Sequence, residues 1–150
     1  MTLIVVGVDG TEAGVAALRW AADQARVTGA RVRAIAVVGP ASMVAGGPEL
    51  GGGFVPRTIV EDEQLAAAAD AWLTAAIAAL PAEARSGVER HAPRGDAVTV
   101  LLEAARDADL LVLGNHHRGA VAAALTGSVA QRCVHHATCP LVLVPAPEEA

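Results

Sequence analysis

The stretch from Gly114 to Ser128 carries the strongest chemical signal in this chain. An apolar run, Leu110 to Leu113, opens into a loop at Gly114, and the pair Gly127 and Ser128 stands where a new helix begins. Strand, glycine loop and helix N-terminus together make an anion cradle. Glycine lets backbone approach a ligand, and the first-turn N–H groups of a helix are unpaired donors with partial positive charge. The same glycines also read as a strand end and an ordinary loop. Arg118 lies beside the cradle, where it either pairs a phosphate as a planar fork or stands as a solvated loop arginine. Asp9 follows the first apolar run. Its carboxylate accepts hydrogen bonds from hydroxyl or amine donors, and Asp9 with Gly10 is also a turn-forming pair.

Other chemistry is narrowed by what the sequence lacks. All 11 basic residues are arginine, which excludes a Walker A loop, an ATP-pairing kinase lysine and a Schiff-base lysine. The first strand runs into GVDG, so the dinucleotide fingerprint G-x-G-x-x-G is missing too. Any phosphate bound here is held by backbone. His116, His117, His135 and His136 are metal-ligand types, but adjacent side chains diverge and the second pair closes a helix, where imidazole favours the C-terminal end. Capping and surface roles are expected of them, and no metal site. No nucleophile is paired with a general base, so efficient catalysis is not expected.

At 150 residues the chain is about one domain, here taken as residues 1–150. It is 53% hydrophobic but only 2% aromatic, and 35 of its residues are alanine, a helix-rich and closely packed composition. The net charge of -5 and scattered arginines leave no basic stripe to follow a nucleic acid backbone. The apolar runs are too short to span a bilayer and the start, MTLIVVGVDG, lacks a basic region before a cleavage site, so a cytoplasmic protein is expected. Cys133 and Cys139 have no C-x-x-C spacing and read as reduced, structural thiols.

The elements that must position the cradle alternate between strand and helix. Leu3 to Val8 is a continuous apolar strand, and Glu12 to Thr28 a helix whose stripe is Leu18, Ala21, Ala22 and Ala25, stopped by Gly29. Val32 to Val38 is the second strand. Thr58 and Glu61 form a capping box for a helix with Leu65, Ala69, Trp72 and Ala76 on one face, ended at Pro81. Val88 to Ala92 suits a half-exposed edge strand, and Asp96 caps a helix carrying Val98, Leu101, Leu102 and Ala105. Leu110 to Leu113, Ser128 to His136 and Leu141 to Val144 complete the series. This order predicts a doubly wound, mostly parallel five-stranded sheet with helices on both faces. The Gly- and Pro-rich stretch from Gly39 to Pro56 is either a lid over the site or an insertion without a role.

With these parts in view, IVVGVDGTEAGVAALRWAADQA, GDAVTVLLEAARDADLLVLGN and LTGSVAQRCVHHATCPLVLVP resemble the universal stress protein family, nearly end to end. Nucleotide-binding members carry Gly, two residues, Gly, nine residues, then Gly-Ser or Gly-Thr. Here the first glycine is Gly114 and the final pair is Gly127 and Ser128, while the second glycine position holds His117, with Gly119 two residues on. The resemblance implies a flavodoxin-like strand order 3-2-1-4-5. In that order a ligand crevice opens between the carboxyl ends of strands one and four, where Val8 meets Asp9 and Leu113 meets Gly114. It also implies that Asp9 meets the adenosine of ATP, that Val37 packs on adenine, and that Gly114, Gly127, Ser128 and Val129 hold ribose and phosphates. The function implied is that of a dimeric, stress-linked regulatory protein. Its ligand would be ATP with its magnesium, or another adenine nucleotide such as cyclic AMP. Members of the same family that bind no nucleotide and act as dimeric interaction proteins are the alternative. Adenylyl-transfer enzymes of related architecture carry Ser-Gly-Gly after the first strand, where GVDG stands here. The last strand, apolar on both faces yet placed at a sheet edge, is the expected homodimer contact.

Overall fold

The computed structural model describes residues 2–37, 59–115 and 128–147. Five strands form one parallel sheet in the order β3-β2-β1-β4-β5. They are β1 (Leu3–Gly7), β2 (Arg31–Ile35), β3 (Val88–His91), β4 (Leu110–Asn115) and β5 (Leu141–Pro145). The helices between them are α1 (Glu12–Thr28), α2 (Ile59–Ala78), a one-turn α3 (Ala82–Arg85), α4 (Ala97–Ala105) and α5 (Ser128–His136). The expected order 3-2-1-4-5 and the α/β class are those of the molecule.

Alternation along the strands decides which helix covers which face. Ile4, Val6, Val8, Val32, Ala34, Leu110 and Val112 point to one side, against Ala17, Leu18, Ala21 and Ala22 of α1 and Ala69, Leu73 and Ala76 of α2. Leu3, Val5, Ile35, Leu111 and Leu113 point to the other, against Val98, Leu101 and Ala105 of α4 and Ala130 and Cys133 of α5. Alanine dominates the helix side of the α1 and α2 layer, with Leu18 and Leu73 between the alanines, whereas the α4 and α5 layer is mixed. Each fully buried leucine removes enough apolar area to favour folding by about 1.5–3 kcal/mol.

Several expected boundaries move. β1 ends at Gly7 rather than Val8, although the Val8 N–H still donates to the Ile35 carbonyl at 2.8 Å. β2 is Arg31–Ile35 rather than Val32 to Val38; its pairing continues only as far as Ala36, whose N–H reaches the His91 carbonyl at 3.0 Å. β3 stops at His91, one residue short of Ala92, and β4 and β5 run on to Asn115 and Pro145 because those two residues are in register with each other. The short α3 was not expected: Pro81 ends the preceding helix and at once stands before a new turn. Val38, the Thr58 and Glu61 box and the stretch from Gly39 to Pro56 lie outside what the structure describes.

Local signals explain the ends that were foreseen. Thr11 caps α1, its hydroxyl accepting the Gly14 N–H at 3.1 Å, and Gly29 closes the helix in the left-handed region at φ 78°. Asp96 caps α4 by accepting the Thr99 N–H at 3.0 Å, a bond that holds its carboxyl below the usual range. At the opposite end of the sheet, Asp109 before β4 accepts the Thr2 N–H at 2.8 Å, the Leu3 N–H at 3.0 Å and the Thr2 hydroxyl at 2.9 Å. These donors, the Thr2 and Leu3 amides first, bring its pKa down to about 2.

The β5 edge is better covered than its sequence suggested. Val142 and Val144 pack against the layer that includes α1, and Leu141 against the opposite layer, so the chain's own helices half-bury these three residues. Leu143, at 40% exposure, and Pro145 are exposed.

Candidate functional site

The strand order reverses between β1 and β4: from β1 the chain continues to β2 on one side, while β4 lies on the other. Ligands of open α/β sheets bind outside the carboxyl ends of the strands at such a point. Two segments meet there, the turn Asp9-Gly10-Thr11 leading into α1, and the end of β4 at Gly114 and Asn115.

The turn is built by its own side chains. The Asp9 Oδ1 atom accepts the Thr11 N–H at 3.1 Å and the Thr11 hydroxyl at 2.5 Å, while that hydroxyl caps the Gly14 N–H. Asp9 is therefore a turn former in fact, and its carboxylate lies over the first turn of α1. Gly10 has φ 83°, a left-handed conformation that L side chains rarely adopt. The indole of Trp72, from α2, closes the other side: a Cβ on Gly10 would lie 2.6 Å from Trp72 Nε1. Sequence reasoning placed Trp72 on a core face and missed this role, since nothing local links residues 10 and 72.

Gly114 has a structural duty as well. A Cβ there would come within 2.6 Å of the Ala13 carbonyl carbon and 2.8 Å of both its oxygen and its Cβ. The close approach that calls for glycine is thus of α1 to β4, and it brings the N-terminal turn of that helix to the crevice. Across the crevice, Ser128 is exposed as the first residue of α5, and Val129 is half-buried with its side chain packed into the α4 and α5 layer. Val37, two residues beyond β2, is half-buried against the same layer. His117, Arg118 and Gly127 lie outside the described residues, as do His116 and Gly119. Asp9, Gly114, Ser128 and Val129 thus sit on the three elements that border the reversal point, and Val37 follows the neighbouring strand.

The sequence model of the Universal stress protein family matches residues 1–145. This chain belongs to that family. A universal stress protein of Mycobacterium tuberculosis is 30% identical over 144 residues, covering 96% of this chain and 48% of its own length. Another from the same organism is 34% identical over 154 residues, with 95% and 47% covered. The chain spans about half the length of these relatives. Among solved structures, a universal stress protein from Archaeoglobus fulgidus in complex with dAMP superposes with a TM-score of 0.61 at 24% identity, covering 96% of this chain and 98% of that one. A universal stress protein in complex with cAMP gives 0.61 at 22%, with 97% and 98% covered. Universal stress protein UspA from Lactobacillus plantarum gives 0.65 at 22%, with 95% and 97% covered. These likenesses establish the flavodoxin-like fold. Among the described residues, no helix is long and apolar enough to cross a membrane.

Proposed function

We propose that this chain binds an adenine nucleotide, ATP with its magnesium or cyclic AMP, in the crevice between the Asp9 turn and the end of β4. The observation that carries the reading is the meeting of the α1 N-terminus with Gly114 at the point where strand order reverses. Two family structures in complex with cAMP and dAMP support the choice of adenine. In this reading Asp9 meets the adenosine, Val37 walls the adenine, and the main chain of Gly114, Gly127, Ser128 and Val129 holds ribose and phosphates, with the Ser128 hydroxyl assisting. Arg118 pairs a phosphate, and His117 stands where nucleotide-binding relatives have their second glycine. Residues 1–150, of which the family match covers 1–145, act as one cytoplasmic stress-response unit that dimerises through β5 and signals by occupancy rather than by efficient hydrolysis.

A second reading, a dimeric interaction protein that binds no nucleotide, draws on the structural work already done by Asp9 at Thr11 and by Gly114 at Ala13. Titration calorimetry separates the two. Bound nucleotide at a hundredfold excess over its dissociation constant adds about 2.7 kcal/mol to stability. For a domain of this size that raises Tm by roughly 5–11 °C. No heat and no shift with millimolar ATP or cyclic AMP would favour the second reading.

A further inference from the structure

Among the described residues, Trp72 is the one large aromatic ring against the candidate site, and its position is over-determined. A Cβ on Gly10 would lie 2.6 Å from Nε1, 2.8 Å from Cδ1 and 2.9 Å from Cε2. Such nearly equal distances to three adjacent ring atoms put that position over the face of the pyrrole ring, not at its edge. The hydrogen that glycine carries in place of a side chain therefore points into the ring. The Arg90 guanidinium ties this stretch of α2 to β3, donating to Asp70 Oδ1 at 2.6 Å and to Thr74 Oγ1 at 3.0 Å, two residues to either side of Trp72. Ala69, Leu73 and Ala76 are buried beneath the same stretch of α2. Opposite the ring, Gly10 belongs to the turn in which Asp9 Oδ1 accepts from Thr11.

We propose that Trp72 is a positioning residue of the nucleotide site: its ring clamps the Asp9-Gly10-Thr11 turn in the conformation that presents Asp9, and its emission reports occupancy. The inference rests on the nucleotide reading above. Without the ring, the left-handed glycine is free to sample other conformations, and apparent affinity falls by the fraction of turns left competent. If a tenth remain competent, the dissociation constant rises about tenfold.

The test uses the full chain, with ATP and cyclic AMP as probes in calorimetry, and Gly10 followed by proton NMR. The chain has 2 tryptophans, so Trp20→Phe leaves Trp72 as its sole indole emitter. In that variant nucleotide should bind as tightly as to the parent and change the emission. Trp72→Leu should weaken binding by about tenfold, and Trp72→Phe, which still covers Gly10, by much less. An upfield Gly10 Hα resonance should be present in the parent and lost in Trp72→Leu. Equal affinity of parent and Trp72→Leu, with emission unmoved at saturation, would reduce Trp72 to core packing. If Trp72→Leu does not fold, the Trp72→Phe affinity and the emission change decide instead: an unmoved emission in Trp20→Phe overturns the role. An upfield Gly10 resonance in a parent that binds neither probe would instead overturn the nucleotide reading, and the positioning role would fall with it.

Discussion

Replacing Gly114 with alanine separates packing from ligand contact at the centre of the site. The added Cβ would stand 2.6 Å from the Ala13 carbonyl carbon and 2.8 Å from its oxygen and Cβ, all closer than carbon atoms tolerate. Two of these three atoms are main chain, in the first turn of a helix whose N-cap, Thr11, is already tied to Asp9. The helix must therefore shift bodily, and overpacking of this kind costs about 1–3 kcal/mol. At roughly 2–4 °C per kcal/mol, Tm should fall by about 2–12 °C. Thermal unfolding without nucleotide, followed by circular dichroism, measures it in the parent, Gly114→Ala, Ala13→Gly and the double variant. Ala13→Gly removes only the Cβ contact, so in that background Gly114→Ala should cost less than in the parent, yet still something. That coupling between the two sites is the signature of a direct clash. A Gly114→Ala protein with the parent's Tm would refute the packing argument and return Gly114 to a purely ligand-facing role.

The remaining predictions concern the far end of the sheet and its edge. Asp109 has a pKa brought down to about 2 by the Thr2 and Leu3 amides, against roughly 3.9 in an unfolded chain. Its contribution is therefore complete above pH ~3.9 and lost as pH falls through the folded value. Asp109→Asn should flatten the acid limb of a stability–pH profile between those limits, and an unchanged limb would show that the carboxylate does not hold β1. Leu143→Arg puts a charge on an exposed residue of β5 and should convert a dimer to monomer in sedimentation; a parent already monomeric at high concentration would end the edge-pairing proposal.

How much of this was legible in sequence depends on how local each signal is. Thr11, Asp96 and Gly29 act within a few residues of themselves, and the helix limits of α1 and α5 follow the pattern closely. The two faces of the sheet follow from alternation. In α2 the pattern is weaker: alanine occupies both the buried positions and the exposed ones, so the buried Leu73 does not stand out, nor does the buried Leu80 just beyond the helix. α3 has too few residues to show a period. The contact between Trp72 and Gly10 is invisible for another reason. It joins a turn and a helix far apart in the chain, and neither residue's neighbours record it.

At the site itself, the sequence singled out suitable residues but could not divide their duties. Asp9 and Gly114 look like ligand groups because an acidic turn and a glycine at strand ends are what a nucleotide crevice uses. Both also have intramolecular reasons to be there: Asp9 to set the turn with Thr11, Gly114 to admit Ala13. These duties are one constraint rather than rivals. The approach that requires Gly114 also brings the α1 first turn to the crevice, so in this chain packing and turn geometry serve the same arrangement a nucleotide would use. The sharper tests of the nucleotide reading are Ser128, exposed at the head of α5, and His117 and Arg118, whose residue types bear directly on phosphate.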